Sequence, residues 1–216
     1  MVFGKIEYLN LLPFHVFMKR FTKSSQESTS MSYYSGVPSD INNKFLSHKV
    51  DAAFISSIKA KKYKNIDLGI IAKKEVLSVL VIPSKDVKKD KASASSNQLA
   101  DILGFKGEVI IGDRALKYYL QSDNYIDLAK EWNNKYKLPF VFALLCFHKD
   151  IKRYKKIQKE FLKKDIKIPQ YLLQKAASKS GIKPKDILHY LTFISYKLDR
   201  KAYIGVRKFY KLAKEN

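Results

Sequence analysis

With 216 residues, 46% of them hydrophobic and 13% aromatic, the chain is too apolar for a disordered protein and suits one compact unit or two small lobes. Its single cysteine, Cys146, excludes an internal disulfide and a cysteine-built zinc site and points to a reducing compartment. The net charge of +22 invites a nucleic-acid partner, but residues 145–216 hold 20 Lys/Arg and 6 Asp/Glu, hence +14 of it, set between apolar positions as on a solvated helix face.

Residues 2–8 read as a strand, and 12–21 as a helix with Pro13 in its first turn. Residues 31–34 are a short strand, and 38–48 a helix with Ile41, Phe45 and Leu46 on one face. A buried strand follows at 51–55, a short helix begins at 56–61, and 68–72 and 77–82 are two more strands. Residues 84–96, rich in Lys, Asp, Ser and Ala, read as a loop or lobe boundary. Beyond it come a helix at 96–103, a strand at 108–111, helices at 114–120 and 127–136, and an apolar strand at 140–147. The tail reads as wholly helical: 150–164, 169–180 with Gly181 as its cap, 184–193 and 199–214.

Alternating strands and helices predict an α/β fold with mostly parallel sheets. The late helices must bury their apolar faces, and returning them to the first lobe gives two lobes joined by crossover strands. No export signal opens the chain, and charge interrupts every apolar run, so a cytoplasmic location without membrane insertion is expected. No motif for specific nucleic-acid binding occurs.

In open α/β sheets, ligands sit beyond the carboxyl ends of strands, near helix N-termini. Four strand-to-helix junctions carry small polar residues: Asn10; Ser56 and Ser57; Ser93, Ser95 and Ser96; and Gly112 with Asp113. Each alone is an ordinary helix cap; four together suit a pocket for a small anion. No G-x-S-x-G elbow, H-E-x-x-H or Walker loop occurs. His15, His48, His148 and His189 lack metal-ligand spacing, and no metal or organic cofactor is expected. Cys146 and Trp132 read as core residues.

Several segments, in order, resemble one family. Tyr8-Leu9-Asn10 with Leu12-Pro13, then Pro38 and Asn42, then Asp51-Ala52-Ala53 with Ile55-Ser56-Ser57 are similar to the opening of the MqnA family, the chorismate dehydratases of the futalosine route to menaquinone. Ser78-Val79-Leu80, the cluster Ser93–Ser96, Ile111-Gly112-Asp113, Trp132 and Leu138-Pro139-Phe140 extend the resemblance. It implies a two-lobed, type II periplasmic-binding-protein-like fold. The short stretch between Leu103 and Glu108 implies a reduced second lobe. Lobe I would comprise residues 1–78 and 143–216, with the helical tail packed on it, and lobe II residues 79–142.

The implied reaction turns chorismate, a small-molecule dianion, into 3-[(1-carboxyvinyl)oxy]benzoate and water. In it Asn10 would orient the reacting ring region. Ser56, Ser57, Ser95 and Ser96 would bind carboxylates, Ser78 would line the cleft, and Gly112 would border it. Asp113 would cap its helix or contact the C4 hydroxyl. The sister enzyme forming 1,4-dihydroxy-6-naphthoate and a non-catalytic small-anion binding protein are the alternatives.

Overall fold

The computed structural model describes residues 1–23, 31–163 and 165–215. Lys164, the last residue of the helix expected at 150–164, lies outside the described residues. The chain runs β1 (Val2–Ile6), a 3-10 turn (Leu9–Leu11), α1 (Leu12–Lys23), β2 (Ser32–Gly36), α2 (Pro38–Leu46), β3 (Ala52–Ser56), α3 (Ser57–Ala60), β4 (Asn65–Ala72) and β5 (Val79–Pro83). It continues α4 (Ala94–Leu103), β6 (Gly107–Ile111), α5 (Gly112–Tyr119), β7 (Ile126–Asp127), α6 (Leu128–Tyr136) and β8 (Phe140–Phe147). The last third is α7 (Ile151–Leu162), α8 (Gln170–Ser180), α9 (Pro184–Leu191), β9 (Ile194–Lys197) and α10 (Arg200–Glu215).

These strands form two sheets. The larger has the order β2-β1-β3-β8-β4-β9, the smaller β6-β5-β7. The expectation of mostly parallel sheets is corrected: among the described residues, β1–β2 and β1–β3 are the parallel pairings between these strands. The pairings of β8 with β3 and β4, of β9 with β4, and of β5 with β6 and β7 are antiparallel. The physical reason is the route of the chain. β8 returns from the small sheet and inserts between β3 and β4 in the opposite direction, so those neighbours are not joined by the helical crossovers that parallel pairs require.

The tail is likewise not wholly helical. Between α9 and α10 the chain extends as β9 and adds an edge to the larger sheet, with Ile194 paired to Ala72. Four residues are too few to show a strand's alternation between two strongly periodic helices. The two-residue β7 escapes for the same reason. Helix α4 starts two residues earlier than expected, because the Ser93 hydroxyl accepts the Ser96 N–H at its first turn.

The larger sheet buries its core against α1 and α7. Phe14 stands edge-on to Phe54 at 5.0 Å and to Phe161 at 5.2 Å. In α7 the buried Tyr154, Ile157 and Phe161 recur at helical spacing among lysines, so that helix is amphipathic as its sequence suggested. α10 packs on β8 but also reaches α4, and its buried Phe209 meets Trp132 of α6 edge-on at 6.2 Å. The tail thus packs on the larger sheet and reaches the smaller lobe as well. Among the described residues no helix is long and apolar enough to cross a membrane.

Candidate active site

The chain passes from the larger sheet to the smaller through residues 73–78. There Leu77 adopts a left-handed φ of 61°, a conformation that strains a residue with a side chain. Asp127 holds it. One carboxylate oxygen accepts the N–H groups of Val76 and Leu77 at 2.9 and 2.7 Å, and the other accepts those of Ala129 and Lys130 at 2.9 and 3.0 Å. One buried side chain therefore anchors the crossover and caps α6. Burial raises its pKa, and the four N–H bonds act the other way.

Beside this crossover lies a cavity of about 70 Å³ between the two sheets. Its polar wall is Tyr8, Asn10, Ser56, Ser78, Ser93 and Ser96, closed by Gly112, and Phe54, Ile70 and Phe142 form part of its apolar wall. No lining residue carries a charged side chain. Of the residues singled out from sequence, the fold brings Asn10, Ser56, Ser78, Ser93, Ser96 and Gly112 together here, and Ser57, Ser95 and Asp113 lie outside the lining.

The hydrogen bonds decide what the hydroxyls offer. Asn42, fully buried on α2, donates its amide to Ser56 Oγ at 2.9 Å and accepts the Ser56 N–H at 3.2 Å. Ser56 Oγ is thus an acceptor there, and its own hydrogen is left to donate. Ser93 Oγ accepts the Ser96 N–H and donates to Ser96 Oγ at 2.7 Å, which frees the Ser96 hydrogen in the same way. Ser78 Oγ is 2.8 Å from Tyr190 Oη. Tyr8, pushed up to about 12 chiefly by burial, stays a neutral phenol. The wall is therefore a set of uncharged donors, suited to carboxylates and short of a strong base.

The three residues outside the lining tie the walls together instead. Ser57 Oγ and Ser95 Oγ are 3.0 Å apart, and Ser95 Oγ also accepts the Ile58 N–H at 3.2 Å. The sequence left Asp113 as a cap of its own helix or a substrate contact, and the cap is corrected. α5 has no side-chain cap, and Asp113 Oδ1 accepts the Leu9 N–H at 3.0 Å, capping the 3-10 turn across the cleft. The reason is geometric, since the left-handed Gly112 (φ 65°) starts α5 against that turn. The Gly112 N–H is itself spent on the Ser78 carbonyl at 2.8 Å. Glycine is needed because a Cβ there would lie 2.8 Å from the Tyr8 ring.

A wider depression of about 480 Å³ opens on the far side of Tyr8. It contains none of the cavity serines but is lined by Asp113, and its Glu7 is paired with Lys5 and Lys179. The remaining candidates are structural. His15 Nε2 bonds the Ile6 carbonyl and His148 Nε2 that of Phe45. Burial pushes the Cys146 thiol up to about 12 and keeps it inert. Among the described residues, no three His, Cys, Asp or Glu are grouped to hold a metal ion.

Sequence reading missed Asn42 as the partner of Ser56, although a polar residue between Ile41 and Phe45 on a buried face was a signal for it. It also missed Tyr190, Tyr196 and Tyr210, which reach the cleft from the tail. In a chain with 14 tyrosines nothing marked those three.

A sequence model of the menaquinone biosynthesis family matches residues 1–103 and 94–215. The chain belongs to this family. It is 45% identical over 218 residues to the chorismate dehydratase of Campylobacter jejuni subsp. jejuni serotype O:23/36 (strain 81-176), covering 99% of this chain and 98% of that one. Among solved structures, it resembles an Archaeoglobus fulgidus protein with a TM-score of 0.78 at 12% identity (99% and 96% of the two chains). The alkanesulfonate-binding protein SsuA of Xanthomonas axonopodis pv. citri, bound to MOPS, superposes with a TM-score of 0.60 at 10% identity (100% and 92%). A Candida albicans protein with the generic periplasmic binding protein fold does so at 0.56 and 13% (100% and 90%). This menaquinone biosynthesis family member thus has the two-lobed α/β architecture of the periplasmic binding proteins.

Proposed function

We propose that the chain is a chorismate dehydratase, a carbon–oxygen hydro-lyase that converts chorismate to 3-[(1-carboxyvinyl)oxy]benzoate and water in the first step of the futalosine route. The observation that carries this is the 45% identity, over nearly the whole of both chains, to a chorismate dehydratase. Lobe I then comprises residues 1–78 and 143–216 and lobe II residues 79–142, a division that follows the two sheets except at residues 140–142, which belong to β8 of the larger one. The single, buried Cys146 fits a reducing, cytoplasmic setting.

The chemistry asks little of the protein. The C3–H and C4–O bonds break, the ring becomes aromatic, and the hydroxide leaves with the proton as water. Aromatisation supplies driving force, so binding, orientation and stabilisation of developing charge are what remain. Ser56 and Ser96, each with a spare hydroxyl hydrogen, would donate to the substrate carboxylates. Asn10 would orient the reacting part of the ring, Ser78 would line the cleft, and Gly112 would border it. Ser57, Ser95 and Asp113 would serve through their contacts across the cleft. With no ionisable base in the wall, the substrate's own enolpyruvyl carboxylate would accept the C3 proton. A cavity of about 70 Å³, room for about two waters, is smaller than chorismate, so the lobes must part for substrate to enter.

Incubation of the purified protein with chorismate, with products followed by chromatography and mass detection, tests this. The enolpyruvyl benzoate formed above the spontaneous background supports it. Unchanged chorismate in the presence of folded protein rejects it and turns attention to the naphthoate-forming reaction and then to small-anion binding.

A further inference from the structure

Three tyrosines of the last third of the chain bring their hydroxyls to the back of the cleft. Tyr190 of α9 bonds Ser78 Oγ at 2.8 Å, and the Asn10 side chain lies near enough to its hydroxyl to draw its pKa down against burial. Tyr196 of β9 donates to the Asn10 carbonyl at 2.6 Å. Tyr210 of α10 donates to the Ser57 carbonyl at 2.9 Å. None of the three lines the cavity. Burial raises all three phenols well above their ordinary value, so they are fixed hydrogen-bonding groups and not proton carriers.

Asn10 needs such support. It sits in a 3-10 turn of three residues, whose own hydrogen bonds have poorer geometry than those of an α-helix. A phenol has one hydrogen and two lone pairs, so Tyr190 can bond Ser78 and the Asn10 amide together. Such a pair of bonds would join the first turn of the chain to the crossover, 68 positions apart in sequence. Tyr196 fixes the same residue through its backbone.

We propose that Tyr190 and Tyr196 are positioning residues, which set the direction of the Asn10 amide and the Ser78 hydroxyl into the cleft from behind its wall. The activity readout rests on the dehydratase function proposed above. Misplacement of an orienting group by about 1 Å costs on the order of 100-fold, and a loosened one costs less, so Tyr190→Phe should lower kcat about tenfold with KM changed less than about twofold. Tyr196→Phe should do the same to a smaller degree. In an Asn10→Ala background, Tyr190→Phe should have no further effect on the residual kcat, because a residue acting through Asn10 has nothing left to position. The double variant Ser78→Ala/Tyr190→Phe removes both partners of one bond, which restores stability where Tyr190→Phe alone loses it; kcat should stay low.

A second readout needs no turnover. The side-chain amide resonances of Asn10 in the 15N-labelled protein, assigned by their loss in Asn10→Ala, should move in Tyr190→Phe and Tyr196→Phe. If wild-type protein leaves chorismate unchanged, the proposed function fails while these resonances still decide the positioning. Amide resonances unmoved in both variants, or equal fold-losses in kcat with and without Asn10, would overturn it.

Discussion

Asp113 and Leu9, 104 positions apart, meet where the carboxylate of one lobe accepts the backbone N–H of the other at 3.0 Å. The bond ties the start of α5 to the 3-10 turn, and it carries a charge into a half-buried place. Burial raises the Asp113 pKa above 3.8, while the Leu9 N–H pulls it down. The folded protein therefore holds this proton more tightly than the unfolded chain. Its contribution to stability falls as pH rises from 3.8 through the raised value and stays lost at neutral pH. Asp113→Asn keeps an acceptor oxygen and removes the charge. Its Tm at pH 7 should match or exceed wild type by about 1–3 °C, with the gap closing toward pH 3.8. Thermal unfolding across that range checks it; a variant melting several degrees lower at pH 7 would show that the charge itself is stabilising.

Burial raises the Asp127 pKa as well, but its carboxylate accepts four backbone N–H groups where that of Asp113 accepts one. Asp127→Asn leaves one acceptor oxygen and turns an NH2 group toward two N–H donors. A loss of about 2–4 kcal/mol is expected, from two buried donors left without acceptors. Urea unfolding measures it, and a loss under about 1 kcal/mol would mean that the crossover is held by other contacts.

Gly112→Ala meets two penalties at once. A left-handed φ of 65° costs a residue with a side chain about 1–2 kcal/mol, and the added methyl would lie 2.8 Å from Tyr8. A stability loss of about 2–3 kcal/mol is expected. Turnover should fall further than stability does, because the displaced Tyr8 is part of the cavity wall. Denaturant melts and initial rates on the same preparation separate the two effects.

His15 gives the protein an acid-side weakness. Burial pushes its pKa down from 6.5 to about 4, against the opposing bond to the Ile6 carbonyl. The unfolded chain binds that proton first, so stability is lost as pH falls from 6.5 to about 4. The loss is on the order of 3 kcal/mol. His15→Gln keeps a donor for Ile6 without a titrating ring, and its stability should decline less over the same interval. Chemical denaturation at several pH values compares the two; parallel curves would contradict the assignment.

What the sequence made legible, and what it hid, follows from the range of the interactions. β3 and β8 were plain because their apolar runs are buried along most of their length. The junction residues Asn10, Ser56, Ser93, Ser96 and Gly112 were found because helix starts and pocket walls use the same small residues, while Ser78, which precedes a strand, came from the family resemblance alone. Strand direction was not legible, since β8 lies beside β3 only after the chain has built another sheet. The same distance hid the bond of Tyr196 to Asn10, 186 positions away, and the choice of Asp113 for Leu9 over its own helix. Each is a tertiary contact with no local periodicity to announce it.

The most direct test of the central claim is the fate of chorismate carrying deuterium at C3. Dehydration across C3 and C4 should give an enolpyruvyl benzoate that is one water lighter and free of deuterium. Its rate should lie well above background in wild type and fall on the order of 100-fold in Asn10→Ala, the scale of losing one oriented donor, with Tm little changed. Labelled chorismate recovered intact from folded wild-type protein, or a product that keeps its deuterium, would contradict it.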